Sequence, residues 1–103
     1  MEKYYDEQGR VAVLISSGYG AGWSTWGGGD FALFDKTLVQ MCLDGKSEEE
    51  VSEYLESVGQ DFYTGGWGNI GVEWLETGTQ FRVDEYDGSE SLEILSEMNF
   101  TVA

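Results

Sequence analysis

The chain has 103 residues, of which 41% are hydrophobic and 15% aromatic, and its 20 acidic and 5 basic residues give a formal net charge of −15 at pH 7. This length predicts a single domain, residues 1–103, and the hydrophobic content argues against a disordered chain. The negative charge disfavours direct binding to nucleic acid. The sequence has no long apolar run and no apolar leader, which predicts a cytoplasmic protein that does not cross a membrane.

The first predicted elements are a turn, a strand and a loop. Gln8-Gly9 is a turn signal that closes a frayed start. Residues 11–15, Val-Ala-Val-Leu-Ile, are apolar and rich in β-branched side chains, which predicts a central strand buried on both faces. A glycine-rich segment, residues 16–29, follows directly. Residues 31–34 are either a short strand or an ordered lead-in to the next helix.

Two short helices are predicted next. Asp35 has the residue type of an N-cap for a helix over residues 36–43. Ser47 and Glu50 have the spacing of a capping box, which begins a second helix that Gly59 ends. An apolar stripe at i, i+3, i+4 and i+7 gives this second helix one inward face, formed by Val51, Tyr54, Leu55 and Val58.

The remaining segments predict strands joined by turns. A hairpin at Thr77-Gly78 would pair Trp74 with Phe81, Val72 with Val83, and Glu73 with Arg82. A second hairpin at Asp87-Gly88 would pair Val83 with Leu92, Arg82 with Glu93, and Phe81 with Ile94. Both registers put one apolar set on the same face: Val72, Trp74, Phe81, Val83, Leu92 and Ile94. Residues 100–102 are a candidate terminal strand. The predicted fold is α+β, with a small antiparallel sheet (central strand plus C-terminal meander) packed against two short helices.

The glycine-rich segment is the main candidate for a binding site. Residues 16–29 contain six glycines, three large aromatic side chains and no charged residue. Their spacing departs from the dinucleotide-binding fingerprint, and no Gly-Lys-Ser/Thr closes the segment as in a P-loop. Successive N–H groups in a glycine-rich turn can form a nest for an anion, and neighbouring hydroxyls add neutral donors. The segment therefore predicts a site for a small phosphorylated or nucleotide ligand; the alternative is a structural loop with Trp23 and Trp26 in the core.

Two other features bear on the same site. Trp67 lies in a second Gly/Trp segment, residues 63–69, where it either stacks on a ligand or covers the end of a helix. Arg82 either binds a phosphate or lies between Glu73 and Glu93 as a cross-strand ion pair. The candidate ligand-binding residues are Ser17, Gly18, Tyr19, Gly20, Gly22, Trp23, Ser24, Thr25, Trp26, Trp67 and Arg82.

Catalysis and metal binding are not expected. The chain has one cysteine, Cys42, and no histidine, so it has neither an internal disulfide nor an ordinary zinc site. Ser and Cys have no histidine to activate them, and the many carboxylates do not single out a catalytic pair. We therefore expect a protein that is not an enzyme and has no cofactor.

Residues 13–26, Val-Leu-Ile-Ser-Ser-Gly-Tyr-Gly-Ala-Gly-Trp-Ser-Thr-Trp, resemble a segment of small uncharacterised bacteriophage accessory proteins. The likeness extends more weakly to residues 61–67 and 85–90. Small phage accessory proteins often counter host defence. The resemblance therefore implies a protein that binds a nucleotide immune signal in the host-cell cytoplasm, or one that inhibits a nuclease complex.

The Gly/aromatic loops favour the first of these functions, and the net charge favours the second, which is the alternative. An acidic surface can occupy the basic groove of a host nuclease or CRISPR-type complex by mimicking the nucleic-acid backbone. The four Trp, six Tyr and five Phe also predict a homo-oligomer, most simply a dimer, because so small a domain cannot bury them all.

Overall fold

The computed structural model of the protein describes residues 1–19 and 22–95 and has an α+β fold, as predicted. Its helices are α1 (Gly29–Phe34), α2 (Lys36–Leu43) and α3 (Glu48–Ser57). Its strands are β1 (Val11–Ser16), β2 (Ile70–Leu75), β3 (Phe81–Tyr86) and β4 (Ser89–Ile94). Short 3-10 turns lie at Ser24–Trp26 and Gly65–Asn69. The predicted terminal strand at residues 100–102 lies outside the described residues.

The predicted starts and ends of α2 and α3 are confirmed. Leu38 N donates to Asp35 Oδ2 at 3.1 Å, and Glu50 N donates to Ser47 Oγ at 3.2 Å, so each helix has its side-chain N-cap. Gly59, with φ +76°, ends α3 in a Schellman motif. Residues 31–34 belong to α1, so the described residues hold three helices instead of two. A short apolar run does not distinguish strand from helix by its periodicity, which is why the sequence left this segment open.

β1 pairs antiparallel with β2, so that Ala12 lies opposite Trp74 and Leu14 opposite Val72. β3 pairs antiparallel with β4 in the register predicted from Asp87-Gly88. The predicted hairpin of β2 with β3 is wrong. A turn does form, since Thr79 N donates to Glu76 O at 3.1 Å, but it leads the chain from one two-stranded sheet to the other.

β1 is buried on both faces, as predicted, but it is not a central strand, because its sheet in the described residues consists of β1 and β2. It separates two apolar clusters. Ala12 and Leu14 face a cluster that includes residues of α2 and α3. Val11, Val13 and Ile15 face the other cluster, which is formed with α1 and the β3–β4 hairpin. Five of the six residues predicted on one face are therefore divided between the clusters: Val72 and Trp74 pack on the first, and Phe81, Val83 and Leu92 on the second.

The N-terminal segment is paired instead of frayed. Gly9 N donates to Asp6 O at 3.1 Å, which confirms the turn before β1. Tyr5 forms an isolated bridge with Val11, and Lys3 forms one with Asp35. The segment thereby ties the edge of β1 to the start of α2.

Candidate functional site

The glycine-rich segment folds around a buried carboxylate from the other end of the chain. Glu90, on β4, is only 2% exposed. Its Oε1 accepts a hydrogen bond from Ser16 N at 3.0 Å. Its Oε2 accepts from Trp23 N at 2.9 Å, from Thr25 N at 3.0 Å and from Thr25 Oγ1 at 2.6 Å. Three backbone N–H groups and one hydroxyl converge on this carboxylate, which is the nest expected of such a loop, and the protein's own side chain fills it.

Glu90 is the residue that the sequence analysis missed, although the strand pattern contained a signal. Alternate residues of a strand share a face, so Glu90 lies on the same face as Leu92 and Ile94. Leu92 packs against the core. A carboxylate on the inward face of a strand needs hydrogen-bond donors from elsewhere, and the uncharged loop after β1 supplies them.

The two Gly/Trp segments pack directly against each other. A Cβ on Gly66 would overlap the carbonyl oxygen of Gly22, so these two backbones approach as closely as glycine allows. Ser16 Oγ donates to Gly66 O at 2.8 Å. Gly20, one of the candidate ligand-binding residues, lies outside the described residues.

Trp23 and Trp67 lie in the core. Trp23 is 0% exposed and Trp67 is 6% exposed, and their ring centroids are 5.5 Å apart. Each indole N–H has a partner, because Trp23 Nε1 donates to Ala32 O at 2.7 Å and Trp67 Nε1 donates to Lys46 O at 2.8 Å. Trp23 is thus fully enclosed, whereas Trp67, although nearly buried, borders a pocket of about 370 Å³ beside Lys46 and Gly68.

The other loop residues lie at or near the surface. Trp26 and Tyr63 are 39% and 55% exposed and their ring centroids are 5.9 Å apart, while Tyr19 is 75% exposed. Ser17 is exposed, and its carbonyl accepts from Ser89 Oγ at 2.9 Å. Gly18 packs against the side chain of Asn69, where a Cβ would overlap it.

Ser24 and Arg82 line a separate cleft of about 420 Å³ between α1 and β3, together with Phe34 and Phe81. Arg82 Nε lies 2.8 Å from Glu93 Oε2 and 3.3 Å from Asp84 Oδ1. The hydrogen bond to Glu93, followed by the charges of Asp84 and Glu93, raises the pKa of Arg82 above its ordinary value. The predicted pair with Glu93 is confirmed. The predicted pair with Glu73 is wrong, because Glu73 lies opposite Val13 in the other sheet.

Four of the five acidic residues of α3 form a second surface feature, which we call the α3 acidic face: Glu49, Glu50, Glu53 and Glu56. All four side chains are exposed. The ion pairs of the described residues involve Arg10, Lys36 and Arg82, and none includes a residue of α3. The sequence showed these charges, but their shared exposure and lack of a cationic partner within the described chain became visible only in the fold.

Gly45-Lys46-Ser47 has the letters that end a P-loop, but the rest of that motif is missing. The position five residues before Gly45 is Gln40, and the tripeptide joins two helices instead of following a strand. Ser47 is the N-cap of α3, whose first turn carries Glu48, Glu49 and Glu50 and therefore disfavours a phosphate.

Within residues 1–19 and 22–95, no three His, Cys, Asp or Glu side chains are grouped so as to hold a metal ion. Burial raises the pKa of the Cys42 thiol above 9.0, which keeps it protonated at neutral pH. In the same part of the chain, no helix has the length and apolar character that a membrane crossing requires.

Comparison of the chain with protein-family models, with curated proteins and with solved structures gave no match, so a functional assignment depends on the geometry above.

Proposed function

We propose that the protein is a non-enzymatic acidic binding protein that occupies a basic surface of another protein. The observation that carries this proposal is the α3 acidic face, where exposed carboxylates lie without a cationic partner in the described residues. A row of carboxylates on a rigid helix presents negative charge in a fixed array, and a basic groove complements such an array. The filled nest of Glu90 also favours this function over ligand binding in the glycine-rich loop.

The structure of α3 gives the face its rigidity. Val51 and Leu55 are buried, and Tyr54 Oη donates to Asp35 Oδ2 at 2.7 Å, so the inner side of the helix is fixed to the core. The carboxylates project from the opposite side. Under the resemblance to phage accessory proteins, the partner is a host nuclease or CRISPR-type complex, and the site of action is the host-cell cytoplasm.

The test compares two variants that remove the same charge. E49Q/E53Q/E56Q neutralises three of the four carboxylates of the α3 acidic face, whereas E7Q/E73Q/E76Q neutralises three exposed carboxylates elsewhere. Each immobilised protein is used to capture host proteins at about 50 mM and about 500 mM NaCl, because salt screens contacts between exposed charges. A captured partner must then be tested for binding to a DNA duplex with and without the acidic protein.

We expect the wild type and E7Q/E73Q/E76Q to displace DNA from the partner at low salt. For E49Q/E53Q/E56Q, the protein concentration that displaces the DNA should be at least about tenfold higher. A partner that is retained unchanged at high salt, or that binds DNA equally well in the presence of the acidic protein, would contradict the proposal.

The cleft between α1 and β3 favours a second candidate function, the binding of a small nucleotide. It brings together Ser24 and Arg82, two of the residues assigned to a ligand, with Phe34 and Phe81 as apolar walls. A phosphate there must compete with Glu93 and Asp84 for Arg82, so we expect weak binding. Calorimetry against cyclic nucleotides and nucleotide phosphates tests this function. If the cleft binds a nucleotide, the wild type should give a heat of binding that R82Q does not give. A folded wild-type protein that gives no heat of binding with any compound of the panel would exclude this function.

A further inference from the structure

We infer that the cavity at the C-terminal end of α3 is the anchor point for an arginine side chain of the basic partner. This inference rests on the proposed function and locates its main contact. The cavity has a volume of about 520 Å³ and lies between α3 and the segment that follows it, residues 59–64. Cavities of roughly 300–1,000 Å³ hold small ligands in proteins, so this one is large enough for an arginine side chain.

The walls of the cavity are held in place by the fold. Gly59, with φ +76°, turns the chain back along α3, and Gln60 N donates to Leu55 O at 2.9 Å. At the other end, Thr64 Oγ1 donates to Glu48 Oε1 at 3.0 Å. The ring of Phe62 packs edge-to-face against Trp23 at 5.2 Å, so its position depends on the core. An incoming side chain therefore meets a site that exists before binding, which lowers the entropic cost of association.

The lining of the cavity matches an arginine in both its parts. Leu55 and Phe62 provide an apolar wall that suits the methylene stem. Glu56 and Asp61 are exposed carboxylates on the lining, and no ion pair of the described residues includes either of them. A guanidinium is planar, is weakly hydrated and binds carboxylates through two parallel hydrogen bonds, which favours Arg over Lys.

The helix itself adds to the negative potential at this end. The C-terminus of α3 carries the negative pole of the helix dipole, and its last turn has no basic residue. Glu56 lies in that turn, where a carboxylate is unfavourable for the free helix. A cation bound in the cavity would relieve this repulsion. The position of Glu56 therefore favours binding of a cation, although it does not favour the stability of the free protein.

The test uses the full chain and a hexa-arginine peptide, with isothermal calorimetry and amide NMR. We expect E56Q/D61N to lower the affinity at least about tenfold. The control E73Q/E76Q removes the same charge from β2 and the turn after it, and should lower the affinity less than about threefold. The amide signals that shift on binding should be those of Leu55 and residues 59–64.

A second readout separates a binding role of Glu56 from a structural one. We expect E56Q alone to raise the Tm of the free protein by roughly 2–5 °C and to lower its affinity for the hexa-arginine peptide. A fall in Tm would show that Glu56 supports the fold and would overturn the inference.

The variant E49Q/E53Q distinguishes this inference from the proposed function. If E49Q/E53Q lowers the affinity for the peptide as much as E56Q/D61N does, the α3 acidic face binds cations along its whole length. The inference about the cavity then fails, while the proposed function stands. If the wild type does not bind the peptide, both fail. A hexa-lysine peptide that binds as tightly as hexa-arginine would overturn the choice of arginine.

Discussion

At the scale of single residues, Glu90 is the side chain on which the geometry of the glycine-rich loop depends. We expect E90Q to lower the free energy of unfolding by about 2–4 kcal/mol. In the wild type, the backbone N–H groups donate to the two oxygens of Glu90, and in the variant an NH2 group would replace one of these oxygens and face the donors. Urea denaturation followed by tryptophan fluorescence measures this loss.

The matched control is E73Q, which makes the same chemical change on an exposed residue of β2. It should change the free energy of unfolding by less than about 0.5 kcal/mol. If E90Q unfolds at the same urea concentration as E73Q, Glu90 does not hold the loop, and the nest would have to be open to another anion.

Tyr54 gives a prediction about pH. Burial, and then the hydrogen bond to Asp35, raises the pKa of Tyr54 above its ordinary value of 10.0. The unfolded chain therefore ionises first as the pH rises. The stability that Tyr54 contributes is fully present below pH 10 and is lost as the pH rises through the pKa of the folded state.

The variant Y54F removes this contribution. We expect it to lower the free energy of unfolding at pH 8 by about 1–2 kcal/mol, since Asp35 loses one donor. The difference from the wild type should shrink when urea denaturation is repeated above pH 10. A difference that stays constant between the two pH values would argue against the hydrogen bond as the cause.

At the scale of elements, the 3-10 turn Gly65–Asn69 offers two glycines with opposite surroundings. In G66A the new Cβ would meet the carbonyl oxygen of Gly22, which belongs to the backbone and cannot rotate away. We expect G66A to lower the free energy of unfolding by about 2–4 kcal/mol. In G68A the Cβ would meet nothing within 4 Å, so the loss should be under about 0.5 kcal/mol.

Thermal unfolding of both variants checks this prediction. The contact between Gly22 and Gly66 is the closest approach of the two Gly/Trp backbones described above. Equal stability of G66A and G68A would therefore mean that the segments are less closely packed than the fold indicates.

Local sequence signals predicted where elements begin and end, but not which strands pair. The caps at Asp35 and Ser47 act within a few residues, so the spacing of side chains along the chain is enough to identify them. The turn at Thr77-Gly78 shows where the chain reverses, yet β2 finds its partner in β1, about sixty residues earlier. Alternating apolar residues fit either partner equally well, so the pattern does not decide between them.

The same limit applies to the candidate site. Glycine and hydroxyl content predicted a nest of donors, because that property belongs to one short segment. The acceptor, Glu90, lies 65 residues from Thr25. Only the tertiary fold brings the two together, so the sequence did not reveal that these donors bind the protein's own carboxylate.

At the scale of the whole molecule, the net charge of −15 opposes both compactness and self-association. This value already includes the five cations, and three of them, Arg10, Lys36 and Arg82, form ion pairs with nearby carboxylates. Salt that screens the remaining repulsion should therefore stabilise the protein and favour contacts between copies.

The exposed aromatic side chains predict where two copies would meet. Trp26 and Tyr63 lie side by side on the surface, and adjacent exposed aromatics are typical of an interface. A two-fold axis is the commonest way to cover such a patch. We expect light scattering to show a species of twice the 11.5 kDa monomer mass, whose fraction rises with added salt.

The variant Y63S should weaken the dimer, whereas Y86S, which removes a 74% exposed tyrosine on β3, should leave it intact. The acidic contact with a basic partner should respond to salt in the opposite direction, because there the charges attract. One salt series on the free protein and one on its complex therefore separate the two kinds of association. A monomer at every salt concentration would exclude the dimer and leave Trp26 and Tyr63 available to a different partner.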